Sequence, residues 1–191
     1  MKIPRATHLV VLVDGFRKHN WLYQGAIKRL LEEFTKIGVQ INPQKSQLVD
    51  LATGGTFGFL GFEIQRVQDR SGKKHWPLLV PKTKKRTELL RKLKDIFCRY
   101  QSQPVAKVIE EINPILRGWL NYFRIGNSSK CFKYIQYWVE KKVRRHLMKA
   151  KNRKGFGWKR WSSDDLYRYY GVYNDYSIKY PRPVPKALPA Q

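Results

Sequence analysis

Two different periods of apolar residues run along this 191-residue chain, and the change between them falls at Pro81. Before it the apolar runs are short. Leu9 to Val13 is an unbroken aliphatic and β-branched run, which predicts a strand buried on both faces, ended by Asp14-Gly15. From about Asn20 to Ile37, Ala26, Ile27, Leu30, Leu31, Phe34 and Ile37 keep a helical period that Gly38 stops. Val39 to Ile41 reads as short and extended, Asn42-Pro43 as a turn, and the alternation from Ser46 to Leu51 as another strand. After Gly54-Gly55 comes a strand from Thr56 to Gln65, whose two glycines allow a close backbone approach. A hairpin turn at 69–74 and a return strand from His75 to Val80 complete an α+β region.

Beyond Pro81 the period is helical throughout. Leu89, Leu93, Ile96, Phe97 and Tyr100 form one stripe between Lys84 and Gln101, and Val105, Val108, Ile109 and Ile112 form a second after Pro104. The stretch from Asn113 to Gly126 reads as a separate helix. Asn113 would cap it, Pro114 would occupy its first turn or kink the chain there, and Gly126 would end it. Its Ile115, Leu116, Trp119, Leu120 and Phe123 make a core face, while Arg117, Asn121 and Arg124 fall at i, i+4 and i+7 on another. That second face reads as a row of phosphate contacts, or more plainly as solvated arginines. A further helix is expected from Lys130 to Lys151, with Phe132, Ile135, Trp138, Val139, Val143, Leu147 and Ala150 inward. Three or four such helices would bury their stripes against one another and leave the basic residues outside.

Charge changes this picture from a generic helical fold to a polyanion binder. The chain carries 39 Lys and Arg against 14 Asp and Glu, a net +25. Residues 82–161 alone hold 23 of the basic and 5 of the acidic side chains. Within them the segment 152–161 interleaves Phe156, Trp158 and Trp161 with Arg153, Lys154, Lys159 and Arg160 around two glycines. Such a mixture suits base stacking beside phosphate pairing, and equally suits aromatic packing beneath a loop. From Ser162 onward the charge nearly vanishes. A short capped helix is expected at 162–170, then a tyrosine-rich stretch and an extended proline-rich tail.

Metal and nucleophile chemistry finds little support in the pattern. Cys98 and Cys131 stand far apart inside amphipathic segments and read as reduced, buried thiols of a cytoplasmic protein. The four histidines are scattered, and the acidic pairs 32–33, 110–111 and 164–165 diverge by about 100° on helices. No run reaches the roughly 20 apolar residues of a membrane span, and no secretory leader is evident.

The order of these pieces resembles the C-terminal part of group II intron-encoded reverse transcriptase/maturases. Val10-Val-Leu-Val-Asp14 is similar to the strand after the family's Tyr-Ala-Asp-Asp motif, Asn42-Pro-Gln-Lys-Ser46 to the next palm segment, and Phe59-Leu-Gly-Phe62 to the primer grip. Asn113-Pro-Ile-Leu-Arg-Gly-Trp-Leu-Asn-Tyr-Phe123 resembles the thumb and maturase region called domain X. The resemblance implies a palm remnant over residues 1–81 (small, mixed α/β, with an antiparallel hairpin), a helical thumb/maturase region over 82–161, and a C-terminal extension over 162–191. One departure matters. Thr7 and His8 occupy the place of the family's aspartate pair, and neither supplies the anionic oxygen ligands that two Mg²⁺ ions need. Polymerase activity is therefore not expected of this chain, no catalytic residue is assigned, and Mg²⁺ would be needed only by an intact site. The family's upstream parts are absent, as in a truncated gene, at an expression boundary or in a split protein.

The function this implies is binding of RNA, group II intron RNA first, to stabilise its folded form for splicing. The expected contacts are Lys84, Lys85, Arg86, Arg91 and Lys94; then Arg117, Asn121 and Arg124; then Lys141, Lys142, Arg144, Arg145, Arg153, Lys154, Lys159 and Arg160, with Trp158 and Trp161 as stacking platforms. The alternatives are a fragment of an RNA-directed DNA polymerase completed by a separate fingers/palm polypeptide, and a non-specific nucleic-acid-binding module that would take DNA as well.

Overall fold

The computed structural model describes residues 9–13, 17–42, 44, 46–69 and 71–178, and the chain divides into two compact units after Leu78. The fold is mixed α+β, a small antiparallel sheet followed by helices. In the first unit a 3-10 turn at Arg17–His19 leads into α1 (Asn20–Lys36). It ends as the sequence predicts. Gly38 adopts φ +68°, and the Gly38 and Val39 amides donate to the Thr35 and Phe34 carbonyls, the paired bonds of a left-handed helix stop.

Three strands follow, β1 (Thr56–Phe59), β2 (Phe62–Gln68) and β3 (His75–Pro81), paired in that order. The single strand expected over 56–65 is in fact two, with Phe59 opposite Phe62 across a tight turn. Leu60 and Gly61 take φ +46° and +81°, so Gly61 serves a two-residue reversal with both central residues left-handed. The 69–74 hairpin forms where expected, the Asp69 amide donating to the Lys74 carbonyl at 2.8 Å.

Two other expected strands do not form. Leu9–Val13 is irregular and exposed, and 46–50 is irregular too, because a strand needs a neighbour to satisfy its amides and no described strand lies beside either. Within the first unit α1 leaves Ile27 and Leu31 of its apolar stripe exposed. The expectations placed on Thr7, His8, Asp14-Gly15, Pro43, Lys45 and the tail from 179 lie outside the described residues.

The second unit is built on α2 (Thr83–Arg99), α3 (Val105–Phe123) and α4 (Ser129–Ala150), each packed on the other two, with α5 (Ser163–Arg168) against α4. Leu93 of α2, Val108, Ile112, Leu116 and Leu120 of α3, and Phe132, Ile135, Val139 and Val143 of α4 are wholly buried. Each such side chain contributes about 1.5–3 kcal/mol when taken from water. Phe97 meets Trp138 edge-on across α2 and α4, and Trp119 meets Phe132 across α3 and α4. α5 begins with a full capping box, Ser162 and Asp165 exchanging bonds of 3.1 and 2.7 Å. No helix among the described residues is long and apolar enough to cross a membrane.

One expected boundary is overturned. α3 runs unbroken through Pro114, so Asn113 caps nothing. Pro114 lies on the exposed side, where water can take the carbonyl that its missing N–H leaves free. Asn113 instead reaches outside its helix. Its Nδ2 donates to the Gly171 carbonyl at 2.8 Å and its Oδ1 accepts from the Tyr173 amide at 3.0 Å, which ties the irregular segment 171–178, a strap, to α3.

Candidate nucleic-acid interface

Two of the expected phosphate contacts are buried, and both are held by acids. Arg124, the C-cap of α3, keeps helical backbone angles, yet residues 173–175 cover it and it is only 5% exposed. It donates to the Asp175 carboxylate at 2.6 Å, the Asp175 carbonyl at 2.9 Å and the Tyr173 hydroxyl at 3.1 Å. Hydrogen bonds from Ser177 and then from Arg124 hold the Asp175 carboxyl down at about 2. An unfolded aspartate titrates near 3.9, so this stabilisation is complete above that value and is lost as pH falls toward 2. Asp175→Asn should therefore lower the melting temperature at neutral pH and flatten its decline between pH 4 and 2. Parallel acid limbs in a pH series of thermal melts would refute that role.

Arg144 is the second correction, being 2% exposed on the inner side of α4. Its Nη1 donates to Glu140 at 3.0 Å, its Nε to the Trp161 carbonyl at 2.8 Å and its Nη2 to the Ser163 hydroxyl at 3.1 Å. Glu140 in turn accepts from Ser163 at 2.7 Å, from Gln136 at 3.2 Å and from the Tyr167 hydroxyl. Burial opposes ionisation of Glu140, but the bonds from Tyr167, Ser163 and Arg144 outweigh it and keep its pKa low. Burial and that same carboxylate push the Tyr167 hydroxyl up. Trp161, expected as a stacking platform, is 9% exposed and roofs this network. Gly157 permits the roof. It takes φ +75°, and a Cβ there would stand 2.7 Å from the Trp161 ring.

Three further acids of this unit, Glu88, Glu110 and Glu111, pair with lysines on their own helices. Lys85 pairs with Glu88 at 2.9 Å, and Lys107 pairs with Glu110 at 2.9 Å and Glu111 at 3.8 Å. Among the described residues, no ion pair joins Lys94, Arg117, Lys141, Lys142, Arg145 or Lys149 to a carboxylate. Aromatic rings hold several of these cations instead. Arg86 lies 4.7 Å from the centre of Tyr134, Lys141 4.6 Å and Arg145 5.5 Å from Phe156, Lys142 5.2 Å from Trp138, and Arg117 5.9 Å from Tyr173. A ring attracts a cation through its quadrupole yet carries no net charge, so the cation is positioned without being neutralised.

The facing sides of α2 and α4 concentrate this charge. Burial first, then Arg145, lowers the Lys142 pKa, and Lys94 and Lys149 add to the effect. Lys84, Arg91, Lys94, Arg117, Asn121 and Arg145 are exposed, as are Arg153, Lys154, Lys159 and Arg160 on the segment after α4, while Arg86, Lys141 and Lys142 are half-buried. Cys98, expected to be buried, is exposed and close enough to Lys142 to influence it. No group of His, Cys, Asp and Glu among the described residues is arranged to hold a metal.

The sequence reading missed Tyr134, Tyr137, Trp138 and Phe156 as holders of cations, and it missed the brace on Glu140. A signal for the brace was present. Glu140 is the only acid between Glu111 and Asp164 and sits four residues before Arg144 within an apolar stripe. Residues 86–165 match the family model described as "Group II intron, maturase-specific domain", which spans α3 and α4 and stops before the strap. No curated protein matches the chain.

Proposed function

Residues 86–165 being a group II intron maturase-specific domain, we propose that the chain binds folded group II intron RNA and favours the splicing-competent fold over its competitors. The observation that carries this reading is the set of α2 and α4 cations held by rings rather than carboxylates, a dense positive surface whose Lys141, Lys142 and Arg145 form no ion pair among the described residues. The protein's part is binding and not bond making. RNA performs the transesterifications, and protein that binds one fold more tightly shifts the population toward it. The loss of polymerase activity rests on Thr7 and His8 in the sequence alone.

A titration of the full chain with folded intron RNA against bulk RNA, at several salt concentrations, tests the reading. Affinity should fall by about 0.7–0.9 log units per log unit of salt for each phosphate contacted. The intron should keep an advantage at moderate salt. Equal affinity for both RNAs would reduce the chain to a non-specific nucleic-acid binder, and Mg²⁺-dependent primer extension by the isolated chain would restore the polymerase alternative.

A further inference from the structure

Tyr137 and Trp158 stack on each other at the surface of the maturase-specific domain, ring centres 5.4 Å apart and planes inclined by 17°. Such pairs are common inside proteins, where both rings escape water. Here Tyr137 remains 54% exposed and Trp158 41% exposed. The fold therefore gains little from the rest of the Tyr137 ring. Trp158 is positioned from within. The guanidinium of Arg144, each of its three nitrogens donating once, to Trp161, Glu140 and Ser163, lies 4.3 Å from the Trp158 ring centre and acts as a fixed plate. The tyrosine projects from α4, so both members of the pair stand on rigid supports.

The charges around the pair name the class of occupant. Lys141 lies 6.0 Å from the Tyr137 ring centre and also touches Phe156, which Arg145 shares. An apolar protein partner would have to bury these cations unpaired, whereas a nucleotide brings a flat base and a phosphate together. Inside a duplex the faces of the bases are hidden against one another. An aromatic platform can only take a base that is already unstacked.

We propose that the Tyr137–Trp158 pair is a stacking site for an unpaired nucleotide of RNA, with Lys141 and Arg145 set to meet its flanking phosphates. The proposal rests on the RNA-binding reading and adds that the contact is to a single-stranded loop or bulge. The test uses the full chain, a single-stranded oligoribonucleotide carrying one 2-aminopurine, and a blunt duplex of equal length. Binding should quench the 2-aminopurine, and Tyr137→Ala should weaken single-strand affinity about tenfold and relieve the quenching. Duplex affinity should change less than twofold, and Tyr137→Phe should behave as the unsubstituted chain. Because Tyr137 is exposed on a long helix, circular dichroism should show the Ala variant folded; an unfolded variant would itself overturn the placement. Equal weakening of single strand and duplex, or none of either, would sink the stacking site while steep salt dependence kept the RNA reading alive. Failure of the unsubstituted chain to bind either RNA would sink both.

Discussion

Replacing Arg144 with methionine is expected to cost about 3–5 kcal/mol of stability, and so to lower the melting temperature on the order of 10 °C or more. The size follows from what the substitution leaves behind. Glu140 is buried and ionised, with Arg144 its only cationic partner among the described residues, and the Trp161 carbonyl loses its donor at the same stroke. The change should also loosen the 151–161 segment, since Trp161 and Trp158 both rest on that guanidinium. The double variant Glu140→Leu with Arg144→Met should lose less than the single one, because no charge is then stranded in the interior. Denaturant melts of the two variants decide the matter. If the single substitution costs under 1 kcal/mol, Arg144 is a solvated cation after all and belongs with the surface residues.

A combined substitution of Lys94, Lys142, Arg145 and Lys149 by glutamine should act in the opposite way. RNA affinity should fall, with the slope of log affinity against log salt shrinking by about 3 units, near 0.7–0.9 for each of four lost phosphate contacts. Stability should hold or rise. Arg145, Lys94 and Lys149 each add to the lowering that burial imposes on the Lys142 pKa, and no ion pair among the described residues is lost with them. Exposed Cys98 offers a second readout, since RNA seated between α2 and α4 should slow its alkylation in the unsubstituted chain. An unchanged salt slope would place the RNA elsewhere. Arg124→Ala makes the useful contrast, because it strips Asp175 of its partner and should lower stability whatever it does to binding.

These two expectations separate residues that look alike in the chain. Arg144 and Arg145 are neighbours, yet one is the centre of a buried network and the other is exposed against Phe156. Arg117 and Arg124 share a heptad spacing, yet one is exposed and the other enclosed by the strap. Periodicity alone could rotate each onto a face. It could not supply Ser163, Tyr167, Tyr173 or Asp175, which arrive from 19 to 51 positions away.

What the amino-acid sequence determined by itself was local or additive. The stop of α1 at Gly38, the extents of α2 and α4, the capping box at Ser162, the 69–74 hairpin and the +25 charge concentrated in the middle all depend on neighbouring residues or on a simple sum. Tertiary structure decided everything that needed a distant partner. It left Leu9–Val13 outside the sheet, carried α3 through Pro114, turned Asn113 from a cap into a clasp, and chose which cations meet solvent. The reason is that a buried charge is tolerable only where an opposite charge or a full set of hydrogen bonds meets it. Which side chains meet is fixed only when the helices have packed.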